Sequence, residues 1–349
     1  MNKHELINSF SRLGELMNSL GENKPHSLGL PCDHSSYEQF NLAIEREIFH
    51  NGWFTEELVR LSLLNLANWL NEKTLEDWLS NYPTAEKNKT IAVIMAGNIP
   101  LVGFHDFICV LFSGYSIQIK LSSEDNRLFH FIYEILVKID ARFVDKIQIA
   151  DGKLASFDAV IATGGSASIV HFKSFFSKVP HLFRGHRSSV AILSGKENPE
   201  ELTLLGKDIF LYFGRGCRNV SHLLLPNDYS LNTIFEQIIS YSAVINNKKY
   251  GNNYDYNKTI HLMNLSTFLD NNFVLFKESN TLQAPIGMIY YHYYDDIKEI
   301  SAYLETNKQA IQCVVGHQHQ AFGSSQQPQI DDYADNINTM DWLRKLNFN

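Results

Sequence analysis

Apolar positions in the first 88 residues recur three and four apart, the spacing of one helix face. Leu6, Phe10, Leu13 and Leu16 open this pattern. A loop holding Gly21, Pro25, Gly29 and Pro31 follows, and helical spacing resumes over 37–49 and 55–70. The latter stacks Leu58, Leu61, Leu66 and Trp69 along one side. Thr74 with Asp77 three residues on has the spacing of a capping box for one more short helix. Nothing in this section carries a catalytic signature, so its role is helical packing or contact between subunits.

At Thr90 the pattern changes. Residues 91–96 (IAVIMA) form a short apolar run closed by Gly97, which predicts a buried parallel strand. Residues 101–112 are apolar almost all round, as a helix buried against a sheet would be, with Gly114 placed to end it. A strand over 116–121 follows, then a helix over 124–139 with Leu128, Ile132, Ile135, Leu136 and Ile139 inward, then strands at 147–150 and 159–162. This alternation predicts a doubly wound parallel sheet. After a strand at 190–193 a second alternating section begins. It has a helix over 199–212, a loop containing Cys217, a strand over 221–225 and a helix over 231–244. Residues 246–258, rich in Asn, Tyr and Lys, read as an exposed loop. Strands at 273–276, 288–292 and 311–315 complete the section, with a helix over 295–307 before the last. The polar tail from Gly316 closes on a short docking helix at 333–346.

Composition narrows the function. The 349 residues carry a formal net charge of −8, which argues against the basic face that nucleic acid or an anionic membrane requires. No stretch of 18 uncharged apolar residues is present to span a bilayer, and the N-terminus lacks the apolar centre of a signal peptide. Cys32, Cys109, Cys217 and Cys313 lie far apart with no C-x-x-C pair, which fits free thiols in a reducing compartment and predicts a cytoplasmic protein. His317-Gln318-His319 lacks a third ligand nearby in sequence and reads as a surface loop, so no metal site is expected. The chain has no G-x-G-x-x-G after a strand, no Walker loop and no G-x-S-x-G elbow.

Ligands of doubly wound sheets sit beyond the carboxyl ends of the strands. Three loops fall there: Gly97-Asn98-Ile99-Pro100, Lys120-Leu121-Ser122-Ser123 and Thr163-Gly164-Gly165-Ser166. Each read alone is also an ordinary turn. In the second section Cys217 stands among Gly214, Arg215, Gly216 and Arg218, just before an apolar strand. Neighbouring cations lower a thiol's pKa and raise its reactivity. The two glycines would let backbone N–H groups turn toward a reacting carbonyl. The plainer alternative is a small buried apolar side chain.

Taken in order, these pieces resemble the aldehyde dehydrogenase superfamily, and more narrowly its fatty-acyl-CoA reductase branch, the family of the reductase subunit of bacterial bioluminescence. Gly214 through Leu225 resembles the superfamily's G-Q-x-C-x-x-x-x-R-L-L-V, Asn98 the asparagine of its N-F-P turn, 119–123 its V-x-K-P-S-E strand end, and 163–166 its F-T-G-S loop. Ala284-Pro285-Ile286 with Tyr294-Asp295-Asp296 resembles its G-P-V and Y-D-D. The C-terminal Phe322-Gly323, Gln326, Pro328, Asp332-Tyr333-Ala334-Asp335 and Thr339 resemble the reductase branch in particular.

The resemblance implies an aldehyde dehydrogenase-like α/β fold of two doubly wound parallel-sheet domains with an N-terminal helical section. Its expected parts are helices over 1–88, an NAD(P)-binding domain over 89–195, a catalytic domain over 196–320, and a segment over 321–349 that returns to the cofactor domain or an oligomer interface. It implies a Cys217 nucleophile, an Asn98 oxyanion donor, and cofactor contacts from Lys120, Ser122, Ser123, Gly164, Gly165 and Ser166. The departures matter. Leu182 stands where hydrolytic members carry their water-activating glutamate, Thr281 near the ribose-binding glutamate of E-x-F-G-P, and Ser123 at the glutamate of K-P-S-E. Loss of that last carboxylate admits a 2′-phosphate, although Glu124 is adjacent. The implied activity is reduction of a long-chain acyl-CoA, or another acyl thioester, to the aldehyde by NADPH, with NADH the alternative. A homo-oligomer and an acyl-activating protein partner are also implied. The rival readings are a hydrolytic aldehyde dehydrogenase and a non-catalytic acyl- or cofactor-binding subunit.

Overall fold

The computed structural model describes residues 1–82 and 87–346. The end of the expected helical section (83–86) and of the expected C-terminal segment (347–349) lie outside the described residues. The chain divides into two compact units, one formed by Met1–Gly185 with Gln329–Asn349, the other by His186–Pro328.

The first unit begins with four helices, α1 (Lys3–Gly21), α2 (His34–His50), α3 (Glu56–Trp69) and α4 (Glu72–Leu79). Each starts behind a capping side chain, namely Asn2, Asp33, Thr55 and Asn71. For α4 this corrects the expected Thr74–Asp77 box. Asn71, a stronger cap than threonine, accepts from the Thr74 N–H one turn earlier. Phe10 of α1 is fully buried, its ring 5.1 Å from Phe112 and 6.0 Å from Phe107 and Phe143 between centroids. The helical section therefore packs on the α/β part of the same unit.

That part runs β1 (Thr90–Ile94), α5 (Phe104–Phe112), β2 (Ser116–Lys120), α6 (Arg127–Ile139), α7 (Phe143–Lys146), β3 (Ile147–Ile149), β4 (Ala159–Thr163), α8 (Ser166–Phe176) and β5 (His181–Arg184). The strands pair in parallel in the order β3-β2-β1-β4-β5. The order reverses between β1 and β4, the switch point at which such sheets open a crevice. Two helices start three residues later than the apolar pattern predicts. Leu101 takes a left-handed φ of +57°, and Ser122 bridges to Asp125 in a turn.

The C-terminal stretch supplies α13 (Thr339–Arg344) to this unit. Trp78 Nε1 donates to the Tyr333 hydroxyl (2.8 Å) and the Tyr115 hydroxyl donates to Leu343 O (3.0 Å). Arg184 is 3% exposed and forks onto Asp106 at 3.1 and 3.0 Å while donating to Thr339 Oγ1 and Ala334 O.

The second unit runs β6 (Ser188–Ile192), α9 (Pro199–Phe210), β7 (Val220–Pro226), α10 (Leu231–Ile238), α11 (Lys248–Met263), β8 (Leu269–Asp270), β9 (Leu275–Glu278), β10 (Met288–Tyr294), α12 (Ile297–Asn307) and β11 (Ile311–Val315). Its sheet order is β11-β6-β7-β10-β9-β8, parallel except for the short β8–β9 pair. β6, which the sequence reading leaves at the end of the first alternating section, pairs here with β7 and β11. The expected loop over 246–258 is instead most of α11, started by Asn247, whose side chain accepts from Lys249 and Tyr250 N–H. Tyr250, Tyr254 and Asn257 form its buried stripe at helical spacing. Their polar tips hid that spacing, but the Tyr250 hydroxyl donates to Phe273 O and the Tyr254 hydroxyl to Asp270. Among the described residues no helix is long and apolar enough to cross a membrane.

Candidate active site

In the first unit three of the predicted loops follow β1, β2 and β4, which are neighbours in the sheet. The turn after β1 carries Asn98, half-buried. Gly97 lies so close to the next loop that a Cβ there would stand 2.5 Å from Ser122 Oγ, so the close approach requires glycine. The Pro100–Leu101 peptide is gripped at both ends. Ser62 Oγ of α3 donates to Pro100 O (2.7 Å), and Leu101 N–H donates to Asp125 Oδ2 (2.6 Å). Burial pushes the Asp125 carboxyl up to about 7, opposed by that N–H and reinforced by the charge of Glu47.

Lys120, at the end of β2, donates to Gly152 O. Ser122 is half-buried, its Oγ accepting from Glu124 N–H (3.2 Å), and Ser123 is exposed. After β4, Gly164 N–H donates to Arg184 O (3.1 Å), and Gly165 begins α8 with no side-chain cap. The first N–H groups of α8, beginning at Ser166, thus lack the internal acceptor that a capping side chain provides. Such a terminus suits a phosphate. An uncapped helix start at the switch point fits a dinucleotide.

In the second unit α9 ends in a tight turn in which Tyr212, Phe213 and Gly214 all take left-handed φ values of +53°, +57° and +74°. Cys217 follows, half-buried, inside a turn closed by Asn219 N–H to Gly216 O (3.1 Å). Asn219 is 3% exposed and organises the turn. Its Nδ2 donates to Asp208 O, Ile209 O and Leu211 O at 2.8–3.1 Å, and its Oδ1 accepts from Gly216 N–H at 2.7 Å. The other side of the turn rests on Ser189. Its Oγ donates to Cys217 O (3.0 Å) and accepts from Cys313 N–H (3.2 Å), with Cys313 Sγ at 3.0 Å. One expectation is corrected here. Gly216 N–H points inward to Asn219 and is not presented to a reacting carbonyl.

The stand-ins for the superfamily's carboxylates are clear in their own units. Leu182 is a core residue of β5, paired in register with Ile161 of β4. Thr281 has an exposed side chain, and its carbonyl accepts from His222 Nδ1 (3.0 Å), leaving His222 Nε2 to accept from His292 Nδ1 (2.7 Å). Burial, aided by His292, holds His222 down to about 4, a neutral imidazole. His317 and His319 are exposed, and His317 Nε2 lies 3.0 Å from Glu201 Oε1. Among the described residues no group of three or more His, Cys, Asp or Glu is placed to hold a metal ion.

Asn219, Ser189 and Asp125 went unnoticed in the sequence because each acts through main-chain atoms rather than through a motif. Asn219→Ala is expected to strand the buried Gly216 N–H and three carbonyls at about 1–3 kcal/mol. Urea unfolding reads that loss. Alkylation of Cys217 by iodoacetamide should change in rate at the same time, because the turn that aims the thiol loosens.

A protein-family model described as Acyl-CoA reductase (LuxC) matches residues 55–249. No curated protein matches the sequence. Among solved structures, aldehyde dehydrogenase 21 of Physcomitrella patens, in complex with the reaction product succinate, superposes with a TM-score of 0.66 at 12% identity, covering 96% of this chain and 84% of that one. An NAD-dependent aldehyde dehydrogenase of Sinorhizobium meliloti gives 0.63 at 10% identity, covering 90% and 70%. An acetylating aldehyde dehydrogenase of Geobacillus thermoglucosidasius gives 0.57 at 12%, covering 91% and 77%. At these identities the likeness concerns the fold, and the fold is that of the aldehyde dehydrogenases.

Proposed function

Since the chain belongs to the acyl-CoA reductase (LuxC) family, we propose that it reduces a long-chain acyl thioester, acyl-CoA first among them, to the fatty aldehyde through an acyl-enzyme on Cys217, with NADPH as reductant. The observation that carries this reading is the Cys217 turn. A strained left-handed run and two buried polar side chains, Asn219 and Ser189, are spent on fixing the backbone around one half-buried thiol. Left-handed tyrosine and phenylalanine are costly conformations, retained where a site needs them.

In the proposed reaction Cys217 Sγ, as thiolate, attacks the thioester carbonyl, the carbonyl carbon–sulfur bond to the carrier breaks, and the carrier leaves as its own thiolate. The Asn98 side-chain amide and the Cys217 backbone N–H hold the developing oxyanion, each such donor contributing about 3 kcal/mol to the transition state. Lys120, Ser122 and Ser123 hold the adenosine ribose, and Gly165 and Ser166 offer backbone N–H groups to the phosphates, with Gly164, whose own N–H is engaged by Arg184 O, letting them approach the backbone. The reduced nicotinamide, when bound, supplies the hydride. Cys217 Sγ then leaves the reduced carbon as thiolate, and the aldehyde departs.

A hydrolytic aldehyde dehydrogenase is the second reading, and it needs a carboxylate to activate water. Leu182, buried in β5, offers none, which favours reduction over hydrolysis. A non-catalytic subunit would have no use for both Asn98 and Cys217. Mass spectrometry after incubation with acyl-CoA tests all three. One acyl mass should appear on Cys217, persist in buffer, and disappear on adding NADPH with release of aldehyde. Decay at the same rate without NADPH would favour hydrolysis, and no adduct would favour the binding subunit.

A further inference from the structure

We infer that Asp125 is the positioning residue for Asn98. Its carboxyl oxygen, rooted in the loop after β2, fixes the orientation of the Pro100–Leu101 peptide and thereby the aim of the Asn98 amide two residues before it. The inference rests on the reading of Asn98 as the oxyanion donor.

Both polar atoms of that one peptide unit are held by buried side chains from different elements, its oxygen by Ser62 of α3 and its N–H by Asp125. The grip is on a conformation that the chain would not choose. Leu101 is 2% exposed and left-handed, and flipping the peptide would let it return to an ordinary region. Proline at position 100 has no N–H of its own, so Leu101 offers the first N–H after Ile99 by which the turn is held. Asp125 is anchored in turn. Its N–H donates to Ser122 O (3.2 Å), and the adjacent Glu124 O accepts from Asn51 Nδ2 (3.1 Å).

The arrangement is a poor bargain for stability alone. Asp125 is 6% exposed, and its Oδ1 is buried without a hydrogen-bond partner among the described residues. The charged group acting on it is Glu47 of α2, itself 1% exposed, whose own cation, Arg127 of α6, reaches Glu47 only at 4.0 Å. A buried carboxyl with one unpaired oxygen beside a second carboxyl is a costly way to close a loop. Aiming an amide accounts for it.

The test is the single-turnover rate of Cys217 acylation at saturating acyl-CoA, followed by quenched mass spectrometry. Asp125→Ala should slow acylation by about 10- to 100-fold, the scale of a small misplacement of a catalytic group, with the half-saturating acyl-CoA concentration unchanged. Asp125→Asn, whose Oδ1 still accepts from Leu101 N–H, should stay within about threefold of wild type by the same reasoning. In an Asn98→Ala background Asp125→Ala should cost nothing further, because residues acting through one group are not additive. Ser62→Ala frees the other end of the peptide, leaves the carboxyl in place and should show the same dependence on Asn98, so it serves should Asp125→Ala not fold. Losses that multiply in the double variants, an Asp125→Asn enzyme as slow as the alanine variant, or wild-type rates throughout would each overturn the positioning role. A wild type that forms no adduct would instead overturn the acyl-enzyme reading itself.

Discussion

Cys217→Ala is expected to lose about 10⁴-fold or more in reductase turnover, the scale seen when a covalent nucleophile is deleted, and to take up no acyl group. The fold should survive. The backbone around Cys217 is held by Asn219, by the Ser189 hydroxyl and by the Gly216–Asn219 turn, none of which uses the thiol. Circular dichroism and urea unfolding should therefore match wild type while the adduct vanishes. Cys313→Ala is the control that gives the result its meaning. Cys313 lies beside the same serine, and its thiol is the nearest competitor to be mistaken for the nucleophile. It should keep both the adduct and the turnover. An acyl mass on Cys313 in the Cys217→Ala protein would remove the basis of the proposed chemistry.

The second large effect is on stability. Arg184→Met should cost about 3–5 kcal/mol, because it leaves the Asp106 carboxylate buried without its partner. The guanidinium makes two bonds to Asp106, one to Thr339 and one to Ala334 O, so it joins α5, β5 and the C-terminal stretch in one network. Lysine is not expected to rescue, since a single ammonium cannot reproduce the two-pronged contact. Arg184→Lys and Arg184→Met should both lower the urea midpoint, the methionine variant by more. Unchanged midpoints would mean that the network is dispensable.

Much of the parallel-sheet architecture was legible, because buried strands carry continuous apolar runs such as 91–94 and 223–225. The misreadings have physical causes. α11 looked like a loop because Tyr250 and Tyr254 bury their rings while keeping a hydroxyl to bond, a mixture that an apolar count scores as polar. β6 was grouped with the wrong sheet because a parallel strand carries no mark of which neighbour it will pair with. Of the candidate site, the sequence offered the loops at strand ends and the cysteine, since those occupy fixed places in the order of elements. Asn219, Ser189 and Asp125 could not be read from it. Their partners are main-chain atoms brought close only by the folded path.

The first unit is assembled from two separate stretches of chain, with the whole of 186–328 spoken in between. A ribosome therefore releases the second unit complete while the first still lacks Thr339, Ala334 and α13. Until those last residues emerge, the nascent Arg184 has Asp106 but neither of its C-terminal partners. A chain stopped at Pro328 would thus yield one finished half and one that is missing this fastening.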